Sequence, residues 1–231
     1  MLIREKDITN VVKHIKINQK EFDFIFLTGD ISDDGSIESY QFVADLLPSL
    51  SKKIFFINGN HDCKENMLSV FSNYNLFIHL QELQYNNWTF IGVDSSVKGK
   101  DYGFISEIEL KKLNLSLIKS EKNNNHVAII THHHPVPVQT PLIDDCLINN
   151  GSDFIRAIEN YSLVKLIMTG HVHNNYSLNI EKIRLETGPA TCVQFIVGGS
   201  NENTDIDKKN YGYKIYTLND YGTYSRETVY V

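Results

Sequence analysis

Four short stretches of this chain concentrate side chains that ligate metals or move protons. They are Gly29-Asp30, Asn60-His61-Asp62, His132-His133-His134-Pro135 and Gly170-His171-Val172-His173. Asp30 and Asn60 offer hard oxygens, while His132, His171 and His173 offer borderline nitrogens. That mixture suits manganese, iron, cobalt or zinc, and neither a calcium cage nor a thiolate zinc finger. A carboxylate has two oxygens, so Asp30 could hold two ions about 3.5–4 Å apart, the spacing used by two-metal hydrolases. His171 and His173 stand two apart, so an extended segment aims both rings to one side. Alone, GD is an ordinary strand-end turn and HHHP a solvated loop. Their common position at strand ends is what points to one metal site.

The elements that must deliver them can be read from the apolar pattern. Phe22–Leu27 contains the continuous run Ile25-Phe26-Leu27, expected of a strand buried on both faces and ending at Asp30. Lys53–Asn58 is a second buried strand, ending in GNHD. His126–Thr131 is a third and delivers HHHP; Leu163–Met168 is a fourth and delivers GHVH. All four tips are expected to converge at one sheet edge. Helices are expected over Ser36–Leu47, stopped by Pro48, through Met67–Phe71, after the Ser106/Glu109 capping box, and over Asp153–Tyr161. Further strands are expected near Leu76–Leu80 and Trp88–Val93. The Pro-punctuated loop from Pro135 to about Gly151 is long enough for a lid or a wall. After it, helix signals vanish and short alternating runs follow (Tyr176–Ile180, Ile183–Glu186, Cys192–Ile196, Tyr213–Leu218, Thr223–Val231). The expected class is α/β, two packed sheets flanked by helices in a single domain over 1–231.

The opening helix is out of place. Asp7 could cap a helix whose apolar positions are Ile8, Val11, Val12 and Ile15. It feeds straight into the first strand, yet a crossover helix should follow an earlier parallel strand.

With 231 residues, 42% hydrophobic content and a net charge of −6, the chain can bury a core and shows no general positive field. That argues against nucleic-acid polymers and anionic membranes as partners, but leaves room for a small anionic substrate beside a metal. Three widely spaced cysteines, Cys63, Cys146 and Cys192, read as free thiols in a reducing compartment, and no apolar run of membrane-spanning length is present. The cytoplasm is the expected location. Oligomeric state is not legible.

GDISDDG, GNHD, HHHP and GHVH together resemble the signature of the calcineurin-like metallophosphoesterases. VDSSVKGKDYGFISEIELKKL and PATCVQF further resemble the bacterial class III 3′,5′-cyclic-nucleotide phosphodiesterases, over nearly the whole chain. The resemblance implies an αββα sandwich and two divalent metal ions, with iron and manganese ahead of zinc, cobalt and magnesium. Asp30 would bridge the ions, Asn60, His132 and His171 would complete one site, and His173 would serve the other. His133 is the alternative to His132 as ligand. His61 would contact the phosphate and protonate the leaving oxygen, oriented by Asp62, with Asn60 and His173 also facing the substrate. The implied reaction is hydrolysis of a small phosphodiester, 3′,5′-cyclic AMP to 5′-AMP. The alternatives are another nucleotide or phosphodiester, or an impaired member kept as a scaffold. That last reading arises because the family's Asp-x-His at the tip of a first strand is missing here. The same absent segment would explain the orphan helix, so Met1 is not expected to be the start of the functional protein.

Overall fold

The computed structural model describes residues 2–19, 21–200 and 205–231. It opens on helix α1 (Leu2–Asn18), followed by strand β1 (Phe24–Thr28), helix α2 (Ile37–Leu46), a 3-10 turn (Leu47–Leu50) and β2 (Lys53–Ile57). Next come α3 (Lys64–Phe71), β3 (Phe77–His79), β4 (Glu82–Tyr85), β5 (Trp88–Val93), α4 (Glu107–Asn123) and β6 (His126–Thr131). The one-turn α5 (Pro141–Asp144), α6 (Gly151–Ile158), β7 (Val164–Thr169), β8 (Ser177–Ile180) and β9 (Ile183–Thr187) follow. The chain closes with the two-residue strands β10 (Gln194–Phe195) and β11 (Ile206–Asp207), then β12 (Gly212–Leu218) and β13 (Tyr224–Tyr230).

β1, β2 and β3 form a parallel sheet in that order. The larger sheet runs β4-β5-β6-β7-β9-β8, parallel through β5, β6, β7 and β9 with an antiparallel strand at each margin. Phe55 and Ile57 of the small sheet meet Phe90, Ile130, Leu166 and Met168 of the large one in a shared apolar layer. Outside the small sheet, Val12 of α1 joins Tyr40, Val43, Met67 and Phe71 of α2 and α3. Outside the large sheet, Leu113 and Leu117 of α4 and Phe154 and Ile158 of α6 cover Ile129 and Ile167. The layers are therefore helix, sheet, sheet, helix. Among the described residues no helix is long and apolar enough to cross a membrane.

Several sequence expectations need correction. The first helix starts five residues before Asp7, which is buried in its interior instead of capping it. The α-helix before Pro48 does end at Leu46 as expected, but the chain continues into a 3-10 turn whose first turn Pro48 fits, where no amide donor is needed. Ser36 and Ser106 do cap their helices, accepting from the amides of Ser39 and Glu109. β4 was not expected, and the Cys192–Ile196 run contributes only two paired residues. Most telling, β1 is half-buried at all five positions and not buried on both faces, because it lies at the margin of its sheet.

Candidate metal centre

The four motifs meet, although not at one sheet's edge. Asp30 and Asn60 follow neighbouring strands of the small sheet, and His132 and His171 follow neighbouring strands of the large one. The site thus straddles the mouth between the two sheets. The amides of Gly170 and His171 both donate to the His132 carbonyl at 3.1 Å, which locks the β6 and β7 tips together. The Asp30 tip is held on the other side by His61, whose amide donates to Asp30 Oδ1 at 3.0 Å.

Local backbone chemistry makes this approach possible. Gly29 has φ +91°, and a Cβ there would lie 2.4 Å from His132 Nδ1. Gly59 lies under the Asp30 carboxylate, where a Cβ would come within 2.1 Å of Oδ1. Asp30 itself adopts φ 49°, a left-handed conformation that aspartate tolerates better than most residues.

His132 is the hub. Its Nδ1 lies 2.8 Å from the carbonyl oxygen of Thr28, an acceptor, so Nδ1 carries the ring's proton and Nε2 presents a lone pair. Around Nε2 stand Asn60 Oδ1 at 3.1 Å, Asp30 Oδ2 at 3.2 Å and His171 Nδ1 at 3.2 Å. Donor separations near 3 Å are the edges of a coordination polyhedron whose ligand distances are about 2.1 Å. Four electron-pair donors facing one another in a buried site need a positive charge between them. Without a cation, a proton must serve: burial opposes charging His132, yet Asp30 outweighs it and raises the ring's pKa. Reciprocally, burial would raise Asp30, but His132 holds it well below the usual carboxylate range. These residues fit one divalent ion.

A second ion is less well provided. His173, at φ 47°, stacks on Phe195 with ring centroids 4.9 Å apart, and its buried Nδ1 has no hydrogen-bond partner among the described residues. With Asp30 it makes two donors, and one of the carboxylate oxygens, Asp30 Oδ1, also accepts from the His61 amide. That set does not by itself fit an ion.

The other histidines of HHHP turn elsewhere. His133 has a ring nitrogen within 4.8 Å of ring nitrogens of both His132 and His171. Both of its nitrogens are nevertheless engaged, Nδ1 with Ser95 Oγ at 2.9 Å and Nε2 with the Asp101 carbonyl at 3.1 Å. His134 Nε2 faces Asp144 Oδ1 at 3.3 Å and anchors the Pro135–Gly151 loop, whose Val138 and Thr140 amides also donate to Asp144. Val138 and Ile143 pack on Val172, so the loop is a packed wall beside the site. Burial holds His133 at about 3 and His134 and His173 at about 4, and keeps His171 well below the ordinary imidazole value. All four are neutral near pH 7.

His61 stands at the mouth, half-exposed, but Asp62 does not orient its ring. The Asp62 carboxylate accepts from the amides of Gly59 (2.9 Å), Ser32 (3.0 Å) and Ile31 (3.3 Å) and from Tyr40 Oη (3.0 Å). It is a staple between the β1 and β2 tips. Asp33 takes the place expected of it: His61 Nδ1 lies 3.3 Å from the Asp33 carbonyl and 3.6 Å from its carboxylate. Asp33 was legible as a carboxylate three residues after Asp30. Tyr40 reads as one more apolar position on α2, and the Thr28 carbonyl carries no sequence signal at all.

Comparison with known proteins shows the chain's family. Residues 4–175 match the family profile of the calcineurin-like phosphoesterases. A probable cyclic nucleotide phosphodiesterase of Coxiella burnetii is 34% identical over 215 residues, 93% of this chain and 84% of that protein. The 3′,5′-cyclic adenosine monophosphate phosphodiesterase CpdA of Vibrio vulnificus is 34% identical over 92% of this chain and 76% of its own length. Among solved structures, a dimetal phosphatase from Danio rerio superposes with a TM-score of 0.64 at 14% identity, covering 92% of this chain and 84% of that one.

Proposed function

The chain belongs to the calcineurin-like phosphoesterase family, metal-dependent hydrolases, and on that premise we propose that it opens 3′,5′-cyclic AMP to 5′-AMP in the cytoplasm. The observation that carries this is the ring of donors about His132 Nε2, with Asp30, Asn60 and His171 each 3.1–3.2 Å away. The names of the relatives supply the substrate class. In this reading Asp30, Asn60, His132 and His171 hold a divalent first-row cation, for which the mixed oxygen and nitrogen set is suited, with iron or manganese preferred by the family resemblance. When bound, that cation acidifies water and offsets charge on the phosphate oxygens. The chain's own residues do the rest. The Thr28 carbonyl fixes the His132 tautomer, and the His61 amide fixes the rotation of the Asp30 carboxylate. With Nδ1 donating to Asp33, a protonated His61 ring presents Nε2–H outward toward the 3′-oxygen as its bond to phosphorus breaks. His173 and Asn60 line the phosphate's approach.

A second reading is favoured by the sparse donors around His173: one ion only, and slow turnover or none. Assay of the purified chain with manganese or iron on cyclic AMP, and on bis(p-nitrophenyl) phosphate, separates the two. Metal-dependent release of 5′-AMP supports the proposal. Activity on the aryl diester alone assigns another diester, and binding of cyclic AMP without turnover assigns a scaffold.

A further inference from the structure

Helix α4 has two apolar faces, and only one of them is covered. Leu113, Leu117 and Ser120 are buried, the two leucines against the large sheet. On the opposite face Ile108 is 66% exposed, Leu115 68% and Ile118 38%. Apolar residues scattered singly over a surface need no explanation, but these share one stripe. Positions 108, 111, 115, 118 and 122 step alternately by three and four, the spacing of a coiled-coil seam. Written as heptads, Ile108, Leu115 and Lys122 take the a positions, and Lys111 and Ile118 the d positions. Glu107, Asn114 and Glu121 then stand at g, and Lys112 and Lys119 at e. The buried residues fall at f and c, so the helix serves the core with one side and carries a second seam on the other.

We infer that this seam is where two copies of the chain meet, α4 beside α4, parallel about a two-fold axis that runs along the helices. The charges choose both the occupant and the direction. In a parallel pair each g residue faces the e residue five positions on in the other helix, so Glu107 meets Lys112 of the second copy, and the reverse by symmetry. An antiparallel pair would set g against g and e against e. Acid would then face acid (Glu107, Glu121) and lysine would face lysine (Lys112, Lys119), an arrangement that disfavours association. The pattern is complementary to itself in the parallel sense, which is what a two-fold contact requires. Beside the seam lies a groove of about 360 Å³ lined by Glu107, Leu110, Lys111 and Asn114. The aliphatic stem of the second copy's Lys112 can lie in it with the ammonium at Glu107. Within one copy, Lys112 is tied to Glu109 at 2.7 Å, but the lysine side of that pair is exposed, and such pairs contribute little, so the partner can be exchanged.

Lys111 weakens the seam. Two d-position lysines face each other across the axis, and a polar seam residue lowers stability while it fixes register. A single helix pair about 25 Å long is also smaller than the roughly 1,200–2,000 Å² of a standard interface. The dimer is therefore reversible, with half-association at about 10–100 µM, beyond the weak end of standard-sized interfaces. The inference concerns assembly and stands apart from the substrate assigned above.

Sedimentation equilibrium of the full chain across that concentration range should show monomer passing into dimer. Leu115→Glu places a charge in the seam and should leave a monomer throughout, with the Tm of the dilute parent, since the residue is exposed in the monomer. Lys111→Leu should tighten association about tenfold or more. Glu107→Lys and Lys112→Glu each set like charges in both symmetric contacts and should weaken self-association about tenfold, while an equal mixture of the two should recover the parent's affinity. A parent chain that stays monomeric at every concentration would overturn the inference. So would a dimer that survives Leu115→Glu, which would place the contact elsewhere. Tighter association of Glu107→Lys would mean antiparallel helices and overturn the parallel pair, as would a mixture that associates no better than its components.

Discussion

Asn60 and His171 reach the same point from different sheets, each about 3 Å from His132 Nε2. Replacing either with alanine removes one donor of four, and even the loss of an outer partner commonly weakens a metal site 10–100-fold. Asn60→Ala and His171→Ala are therefore expected to lose bound metal and most activity together, as read by metal analysis of the purified variants beside turnover. Full metal content with normal turnover would remove that residue from the ligand set. His61 touches none of these donors with its ring, so His61→Gln should retain metal and lose rate. General acid catalysis is worth about 10²–10⁴-fold. The deficit should appear in kcat on cyclic AMP and shrink on a p-nitrophenyl diester, whose leaving group hardly needs a proton. An equal deficit on both substrates would show that His61 is not the acid.

Between elements, the site depends on a brace that no motif announces. Tyr40, fully buried on α2, donates its hydroxyl to Asp62 Oδ1 at 3.0 Å and accepts from the Cys63 amide at 2.8 Å. Through Asp62, which collects amides from both the β1 and β2 tips, α2 holds the two loops that carry Asp30 and Asn60. Tyr40→Phe keeps the packing but strands the Cys63 amide and leaves Asp62 Oδ1 with the Ser32 amide as donor, and an unsatisfied buried group costs about 1–3 kcal/mol. Urea denaturation should report a loss in that range with an unchanged m-value, and a change below a few tenths of a kcal/mol would mean that the hydroxyl is dispensable. On the opposite side, buried Glu186 of β9 ties the β12–β13 hairpin to the large sheet. It accepts from Lys214 at 2.7 Å and Tyr224 at 3.0 Å and pairs with Arg226 at 3.0 Å.

For the molecule as a whole, the buried histidines set an acid limit. Burial depresses His133 to about 3 and His134 and His173 to about 4, against an unfolded value of about 6.5. Below that value the unfolded chain binds protons that the folded rings refuse. Stability present above about pH 6.5 is therefore lost as the pH falls toward 4. His132 works in the opposite sense: its pKa, raised by Asp30 against burial, adds stability at low pH that fades as the pH rises. With His171 also held well below the ordinary value, four depressed rings outweigh one raised ring, so the chelated chain should lose several kcal/mol between pH 7 and 4.5, each ring contributing about 1.4 kcal/mol per shifted unit. Urea midpoints at the two pH values check this, and an equal or higher midpoint at pH 4.5 would contradict it.

The strand-and-tip grammar of the chain is local, and so the sequence by itself determined it. Apolar runs ending in GD, GNHD, HHHP and GHVH identify β1, β2, β6 and β7 within a residue or two, because a buried strand needs continuous apolar side chains and a turn needs glycine. The candidate ligands Asp30, Asn60, His132, His171 and His173 follow from residue type at those tips. What only the tertiary structure decided are matters of distance between segments far apart in the chain. His132 faces its fellow donors while His133 turns to Ser95 and Asp101, a choice made by the loop after β5 and not by anything within HHHP. Asp33 and not Asp62 lies beside His61, because the Asp62 carboxylate is captured by amides of the β1 tip some thirty residues earlier in the chain. The apolar run of β1 announces burial, yet burial is a property of neighbours, and β1 lies at the margin of its sheet.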